Sequence, residues 1–147
     1  MCFKVNPSKM ANPDWRARSC NLKNLINDLY QGEKFCDVTL VLNDGSEIRA
    51  HKLILASVSP MFEAKFYGPL ANKNQDTFKV TEVEAETFRS MISFIYSSGD
   101  MEPCDESNSD YYWNLLSAAH FYLVEGLIEF CEEELAAFCE NIKTPEG

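Results

Sequence analysis

The thiol of Cys36 and the imidazole of His51 are the two side chains with the chemistry of a nucleophile and its general base. They stand on segments predicted to pair as adjacent strands of one hairpin, so the fold can bring them together. The alternative is a buried thiol and a histidine at the end of a strand, and we favour it. A hydrolase or redox enzyme that used either residue would require Cys36 to react with a thiol probe in the folded state.

Other patterns that suggest catalysis are explained more simply by secondary structure. Ser57 and Ser59 lack the strained strand-to-helix turn of a nucleophilic serine, and Ser59-Pro60 is typical of a helix start. The acidic run at residues 132–134 is expected on the solvent face of a helix. No glycine-rich loop has the spacing that holds a phosphate. We therefore predict a protein that is not an enzyme.

The cysteines and histidines do not form a metal-binding pattern. The six cysteines include no Cys-x-x-Cys pair, and His51 and His120 stand far apart in the sequence. Cys36, Cys131 and Cys139 fall on predicted apolar faces, where a free thiol behaves as a small hydrophobic group. We expect reduced thiols, no metal and no cofactor.

Charge and hydropathy argue against two classes of partner. The formal net charge is −10, and no Lys or Arg occurs between Arg89 and Lys143. A surface this acidic repels a phosphate backbone, because nucleic-acid affinity depends on cationic side chains. No apolar segment is long enough to span a bilayer, and the first residues lack the core of a signal peptide. We expect a cytoplasmic or nuclear protein that binds neither nucleic acid nor membrane directly.

The first half of the chain predicts a small sheet. Apolar residues alternate through residues 36–42, and a second strand is predicted at residues 47–51. Asp44-Gly45 lies between them and suits a tight turn, because both residues accept positive φ. These segments predict a hairpin, and a further strand is predicted at residues 77–80.

Apolar residues at helical spacing predict helices that follow the hairpin. A short helix is predicted at residues 52–56, and a second runs from Ser59-Pro60 to Gly68-Pro69. An acidic loop is predicted at residues 99–110. The helical spacing of Phe88, Met91, Ile92 and Ile95 predicts one later helix, and Trp113, Leu116, Ala118 and Ala119 mark another. The final helix is predicted to carry Leu127, Phe130, Cys131, Leu135 and Phe138 inward. The order of elements predicts an α+β fold, with helices packed on a small sheet.

A short amphipathic helix is also predicted ahead of the sheet, at residues 21–30. Leu22, Leu25, Ile26 and Leu29 share one face of it. This apolar stripe must be buried somewhere, either on its own domain or against a second copy of the chain. The composition of the helix is compatible with both.

Several blocks of the sequence together resemble the signature of the BTB/POZ family, especially its speckle-type and Kelch-like members. They are residues 35–40 (FCDVTL), 50–56 (AHKLILA), 59–62 (SPMF), 88–96 (FRSMISFIY) and 115–119 (LLSAA). The blocks follow the family's order and spacing over residues 21–139. The resemblance implies the BTB/POZ fold, with an amino-terminal dimerisation helix, and a role in protein–protein interaction.

The resemblance suggests domain boundaries as well. We expect a flexible lead-in at residues 1–18, a BTB/POZ domain at residues 19–140 and the start of a linker at residues 141–147. Because the sequence stops just after the last predicted helix, we expect a fragment of a longer protein.

In this family the first helix packs across a twofold axis against its counterpart. The resemblance therefore implies a homodimer whose interface is formed by Leu22, Leu25, Ile26 and Leu29. One self-complementary stripe can serve both subunits of such a dimer.

Two functions divide the family. Many members are adaptors that bind the amino-terminal helices of cullin-3 and bring substrates to a ubiquitin ligase. Others act in chromatin and transcription, where they homodimerise or recruit corepressors without binding a cullin. We expect the adaptor function, and the chromatin-associated function is the alternative.

The adaptors carry a hydrophobic residue, any residue and then glutamate after the Ser-Pro-Met-Phe helix. This sequence has Leu70-Ala71-Asn72 at that place, so the glutamate is missing. Asn72 keeps a hydrogen-bond acceptor without the charge, which is expected to cost on the order of 1 kcal/mol. The hydrophobic contact with cullin-3 is expected from Met61, Phe66, Tyr67 and Leu70.

Asp37 and Lys52 match an acid and a base that line a charged pocket in the repressor-type members. The alternative is a pair that shapes the fold, since a buried charge needs a partner in any case.

Overall fold

The structure is a computed structural model that describes residues 21–97 and 109–143. The expected lead-in, residues 99–108 of the expected acidic loop, and residues 144–147 of the expected linker lie outside the described residues. The same is true of three cysteines, Cys2, Cys20 and Cys104.

Six helices and three strands occur in the described residues, and they confirm the expected α+β fold. In chain order they are α1 (Leu22–Gln31), β1 (Val38–Val41), β2 (Glu47–Ala50), α2 (Lys52–Val58), α3 (Pro60–Tyr67), β3 (Thr77–Lys79), α4 (Ala85–Tyr96), α5 (Ser109–Tyr122) and α6 (Glu125–Lys143).

The three strands form one sheet in the order β2-β1-β3. The antiparallel pairing of β1 and β2 places Leu40 opposite Ile48, and Gly45 has a φ of 87° in the turn between the strands. The Asp-Gly hairpin is therefore confirmed. The strand β3 pairs with β1 in parallel, with Phe78 opposite Leu40. Parallel neighbours need a crossover connection, and α2 and α3 supply it.

Ser59 joins α3 to α5 at the centre of the molecule. Its hydroxyl accepts a hydrogen bond from the Phe62 backbone N–H at 3.2 Å and donates to the Tyr122 carbonyl at 2.5 Å. The Phe62 ring stacks on the Tyr122 ring, with centroids 4.7 Å apart. The expected serine cap is confirmed, and it also fixes the helix that leads to the candidate cullin-binding segment.

The inward face of α5 is set by its packing in the domain. Tyr112 and Leu115 are buried, Leu116 is half-buried, and Trp113 is 55% exposed. Trp113, one of the residues that mark this helix in the sequence, therefore lies on its exposed side. Large apolar residues occur on several sides of this helix, so its periodicity does not select one face. The packing of α5 against α4 and α6 selects it instead.

The last turns of α6 differ from the prediction, at Cys139. Cys131 is completely buried, as expected, but Cys139 is exposed. Cys139 lies one helical turn beyond Leu135, which is the last buried side chain of α6 among the described residues. The apolar pattern of α6 therefore continues past the end of the core. The helix itself continues to Lys143.

Candidate interaction surfaces

Cys36 and His51 do come together, as the hairpin predicts, but not as a nucleophile–base pair. The Cys36 Sγ lies 3.7 Å from Nε2 of His51. The same Nε2 lies 2.6 Å from the carbonyl oxygen of Lys34. A carbonyl oxygen only accepts hydrogen bonds, so Nε2 carries the proton and donates it there. Nε2 therefore has no lone pair for the thiol proton of Cys36.

The opposite nitrogen of His51 is held by Tyr96. The Tyr96 hydroxyl accepts a hydrogen bond from the His51 backbone N–H at 2.9 Å and lies 2.8 Å from Nδ1. It can donate its own proton to Nδ1, and this pattern fixes one tautomer of the imidazole. Burial raises the pKa of the Cys36 thiol, against the smaller opposing effect of Arg49. The thiol is protonated, and neither imidazole nitrogen is free to accept its proton. The contact between Cys36 and His51 is therefore structural.

Asp37 and Lys52 meet through the backbone rather than through their charges. Asp37 is exposed, and its Oδ1 accepts a hydrogen bond from the backbone N–H of Lys52 at 2.8 Å. The Lys52 side chain is 9% exposed, and its ammonium donates to the Gln75 carbonyl at 2.9 Å. Of the two interpretations from sequence, this geometry fits a contact that shapes the fold.

The apolar stripe of α1 is divided between its own domain and solvent. Ile26 and Tyr30 pack against the core, and the Tyr30 ring stacks on Tyr96 with centroids 4.3 Å apart. Leu22 is 69% exposed, and Leu25 and Leu29 are half-buried. Part of the stripe therefore packs α1 on its own domain. The rest leaves leucine surface uncovered, which a second copy of the chain could bury.

Two further exposed apolar side chains were missed by the sequence analysis. Phe35 and Leu53 are each 70% exposed, and Phe35 has a φ of 61°. The hydrogen bonds of His51 to Lys34 and of Lys52 to Asp37 join the two segments that carry them. Both residues stand in apolar blocks next to buried positions, so the sequence pattern gave no signal of their exposure.

The expected cullin-binding residues separate into exposed and buried sets. Leu70 is 99% exposed and Tyr67 is 48% exposed, while Ala71 is half-buried and Asn72 exposed. Phe66 is 2% exposed, so the prediction that it offers a contact surface was wrong.

Phe66 and Met61 face the core for identifiable reasons. The Phe66 ring packs between those of Phe62 and Phe78, at centroid distances of 5.4 and 5.2 Å. Met61 is half-buried and packs against the core. Because the apolar stripe of α3 is needed for the core, the exposed leucine of this region comes from the segment that follows the helix.

Local hydrogen bonds shape the segment after α3. The Ala71 N–H donates to the Gly68 carbonyl, and the Gln75 N–H donates to the Asn72 carbonyl, both at 3.0 Å. The Asn72 side chain accepts from the Asn74 N–H, also at 3.0 Å. Asn72 therefore uses its side-chain oxygen within its own turn.

An open apolar groove of about 670 Å³ lies on another part of the domain. The turn between α2 and α3, the end of α4 and the start of α6 line it. Val58 is 39% exposed there, and Leu123, which has a φ of 58°, is 50% exposed. The groove therefore offers apolar surface to a partner.

The described residues contain neither a metal-binding cluster nor a membrane-spanning helix. Over residues 21–97 and 109–143, no three His, Cys, Asp or Glu side chains gather where a metal ion would bind. None of the helices in that part of the chain is long and apolar enough to cross a bilayer.

Comparison with known proteins identifies the family. A model of the BTB/POZ domain matches residues 26–138, which is most of the chain. The chain belongs to the BTB/POZ family. A BTB/POZ domain is a protein–protein interaction module, so the exposed apolar side chains are candidate contacts with other proteins.

One curated relative of this BTB/POZ domain is "BTB/POZ and MATH domain-containing protein 3" of Arabidopsis thaliana. The two are 34% identical over 131 residues, which cover 83% of this chain and 31% of the relative. The chain thus spans about a third of that protein.

A solved structure, the BTB domain of zebrafish PATZ1, is similar to this BTB/POZ domain with a TM-score of 0.65. The match covers 93% of this chain and 98% of that one at 23% identity, and it shows the shared fold.

Proposed function

We propose that this BTB/POZ domain is a homodimerising adaptor that binds the amino-terminal region of cullin-3 and brings substrates to a ubiquitin ligase complex. The observation that carries the proposal is the position of Leu70. It is 99% exposed, directly after α3, at the place where the adaptors of the family have their hydrophobic contact residue. A leucine that a partner covers contributes about 1.5–3 kcal/mol to binding, so Leu70 is available for a strong contact.

The surroundings of Leu70 support the same proposal. Tyr67 is about half exposed on the last turn of α3 and adds an aromatic side chain, a residue type that often anchors interfaces. The turn at Asn72 supplies an amide in place of the usual glutamate. The loss of that charge is expected to weaken binding and to leave the apolar contact in place.

The relationship to a plant BTB/POZ and MATH domain-containing protein also favours an adaptor. That relative joins a BTB/POZ domain to a second named domain. An adaptor needs one module for the ligase and another for the substrate, and a protein with two domains can supply both. The structural likeness to PATZ1 carries no weight for the chromatin-associated alternative, because it shows the fold alone.

Homodimerisation is proposed on the exposed part of the α1 stripe. Leu22 is largely exposed, and Leu25 and Leu29 are only half-buried. A second copy that presents the same leucines would cover them by symmetry.

The test of cullin binding is a calorimetric titration of the chain with the purified amino-terminal region of cullin-3. We expect submicromolar binding by the natural sequence and a loss of about tenfold or more for Leu70→Ala. Leu53→Ala is the matched control, because it removes an exposed leucine on α2 and is expected to leave cullin affinity unchanged. Asn72→Glu is expected to tighten binding.

The other outcomes are equally informative. No binding by the natural sequence but binding by Asn72→Glu would mean that the surface persists and lacks one contact. No binding by either protein would contradict the adaptor function. It would favour the chromatin-associated alternative, for which the apolar groove beside Val58 and Leu123 offers surface to a corepressor segment.

A further inference from the structure

The buried ammonium of Lys52 contacts two places that are far apart in the sequence. Its Nζ donates a hydrogen bond to the Gln75 carbonyl at 2.9 Å and lies 5.9 Å from the centroid of the Phe66 ring. A carbonyl dipole and the face of an aromatic ring both favour a cation. The two contacts therefore hold this lysine, which is 9% exposed, in one position.

These two contacts lie at the two ends of one segment. Phe66 is in the last turn of α3, and Gln75 comes shortly before β3. Residues 67–74 connect them, and they include Tyr67, Leu70 and Asn72. Lys52 thus contacts the domain where the candidate cullin-binding segment begins and bonds the segment near its end.

The start of the lysine side chain is fixed as well. The Asp37 carboxylate accepts the backbone N–H of Lys52 at 2.8 Å, and the backbone N–H of Asp37 donates to the Ala50 carbonyl at 3.1 Å. The lysine side chain therefore projects from the start of α2, which is attached to the hairpin. The hydrogen bonds within residues 68–75 are local, Ala71 to Gly68 and Gln75 to Asn72, and they curl the segment. Its end is attached to β1 by the Thr39 N–H, which donates to the Asp76 carbonyl at 2.8 Å, and Lys52 adds a second attachment at Gln75.

We infer that Lys52 is a positioning residue for the segment that carries Leu70, because its ammonium, held over the buried Phe66 ring where the segment begins, bonds the Gln75 carbonyl near the segment's end. The effect on affinity rests on the proposed cullin binding. The holding of the segment rests only on the contacts of Lys52. A loop that is already held in its bound conformation loses less conformational entropy when a partner binds. Lys52 therefore raises affinity without touching the partner.

The test compares Lys52→Met with Lys65→Met in the 147-residue chain. Methionine keeps the length and apolar character of the lysine stem, and water can reach the exposed Gln75 residue whose carbonyl loses its partner. Lys65 is the matched control, since its ammonium lies 5.7 Å from the Phe78 ring and is not bonded to the segment. Lys52→Gln, whose side chain is too short to reach Gln75, tests the same point if Lys52→Met does not fold.

The first readout is amide hydrogen exchange of the free protein. We expect exchange in residues 68–76 to rise about tenfold in Lys52→Met, with α4 and α5 unchanged. Lys65→Met is expected to leave residues 68–76 as in the natural sequence. Unchanged exchange in that segment, or an equal rise throughout α4 and α5, would overturn the inference, because the lysine would then have no role or only a general one.

The second readout is the titration with the amino-terminal region of cullin-3. We expect Lys52→Met to bind about tenfold more weakly, with a more unfavourable entropy. Unchanged affinity with a loosened segment would overturn the role of Lys52 in binding. If the natural sequence does not bind cullin-3, the proposed function fails, and hydrogen exchange still decides whether Lys52 holds the segment.

Discussion

The hydroxyl of Tyr96 serves both the backbone and the side chain of His51. It accepts the His51 N–H at 2.9 Å and lies 2.8 Å from Nδ1, while Nε2 of the ring lies 2.6 Å from the Lys34 carbonyl. One histidine thereby joins α4, the start of α2 and the segment before β1. The residue that first suggests catalysis holds three parts of the fold together.

Tyr96→Phe is expected to destabilise the domain by about 1–3 kcal/mol, because two buried polar groups of His51 lose their partner. The stacking on Tyr30 is kept. Tyr122→Phe is the matched control, and it removes a single, partly buried hydrogen bond to Glu82 at 3.2 Å. We expect the control to cost about 1 kcal/mol or less by urea unfolding. Equal effects of the two variants would argue against a special role of the Tyr96 hydroxyl.

The described cysteines are expected to differ in reactivity with iodoacetamide. Burial raises the pKa of Cys131 to about 12 and also raises that of Cys36, so both are protonated near pH 7. The thiolate is the reactive form. Timed labelling followed by peptide mass spectrometry should therefore modify the exposed Cys139 first, and all three sites should react in guanidinium chloride. Rapid labelling of Cys36 in the folded protein would revive the hypothesis of a catalytic thiol.

The hairpin turn is expected to make stability depend on acid pH. Hydrogen bonds from the Ser46 hydroxyl and the Arg89 guanidinium hold the pKa of Asp44 well below its usual range. A lowered pKa in the folded state stabilises above the unfolded value, near pH 4, and this contribution is lost as pH falls through the folded value.

Asp44→Asn should therefore flatten the fall in urea midpoint between about pH 4 and pH 2, and 1 M salt should reduce the difference from the natural sequence. Glu47→Gln, at an exposed position on β2, is the control for the loss of one carboxylate. If Asp44→Asn follows the natural pH curve, the hydrogen bonds at this turn do not contribute to acid stability.

Leu22→Asp is expected to weaken self-association by at least about tenfold, because each copy would place a carboxylate in an apolar interface. An acid in the first turn suits the amino terminus of a helix, so α1 itself should persist. Leu70→Asp makes the same change at an exposed leucine outside α1 and should leave the dimer unchanged. Sedimentation equilibrium gives the comparison. A dimer that tolerates Leu22→Asp would place the interface elsewhere.

Much of the fold was predictable because local signals agreed with the final packing. The Asp44-Gly45 turn and the alternation on either side of it specified the hairpin. Ser59-Pro60 specified the start of α3, and Gly68 its end. The parallel pairing of β3 with β1 was not predictable in the same way, because no local sequence signal in residues 77–79 indicates which strand they pair with.

The candidate sites were less predictable, because exposure depends on tertiary contacts. Phe66 and Leu70 are both apolar, yet one fills the core between aromatic rings and the other lies in solvent. The sequence placed Lys52 near Asp37 as a charged pair. It did not show that the ammonium turns toward Gln75, since that contact joins residues separated by two helices.

The proposed dimeric adaptor can be examined by sedimentation of the chain with the amino-terminal region of cullin-3, both at micromolar concentration. Sedimentation reports self-association and cullin binding in one experiment. We predict a single assembly that contains two copies of the chain and two cullin-3 fragments. A monomeric chain that sediments separately from cullin-3 would contradict the account of a dimeric cullin-3 adaptor.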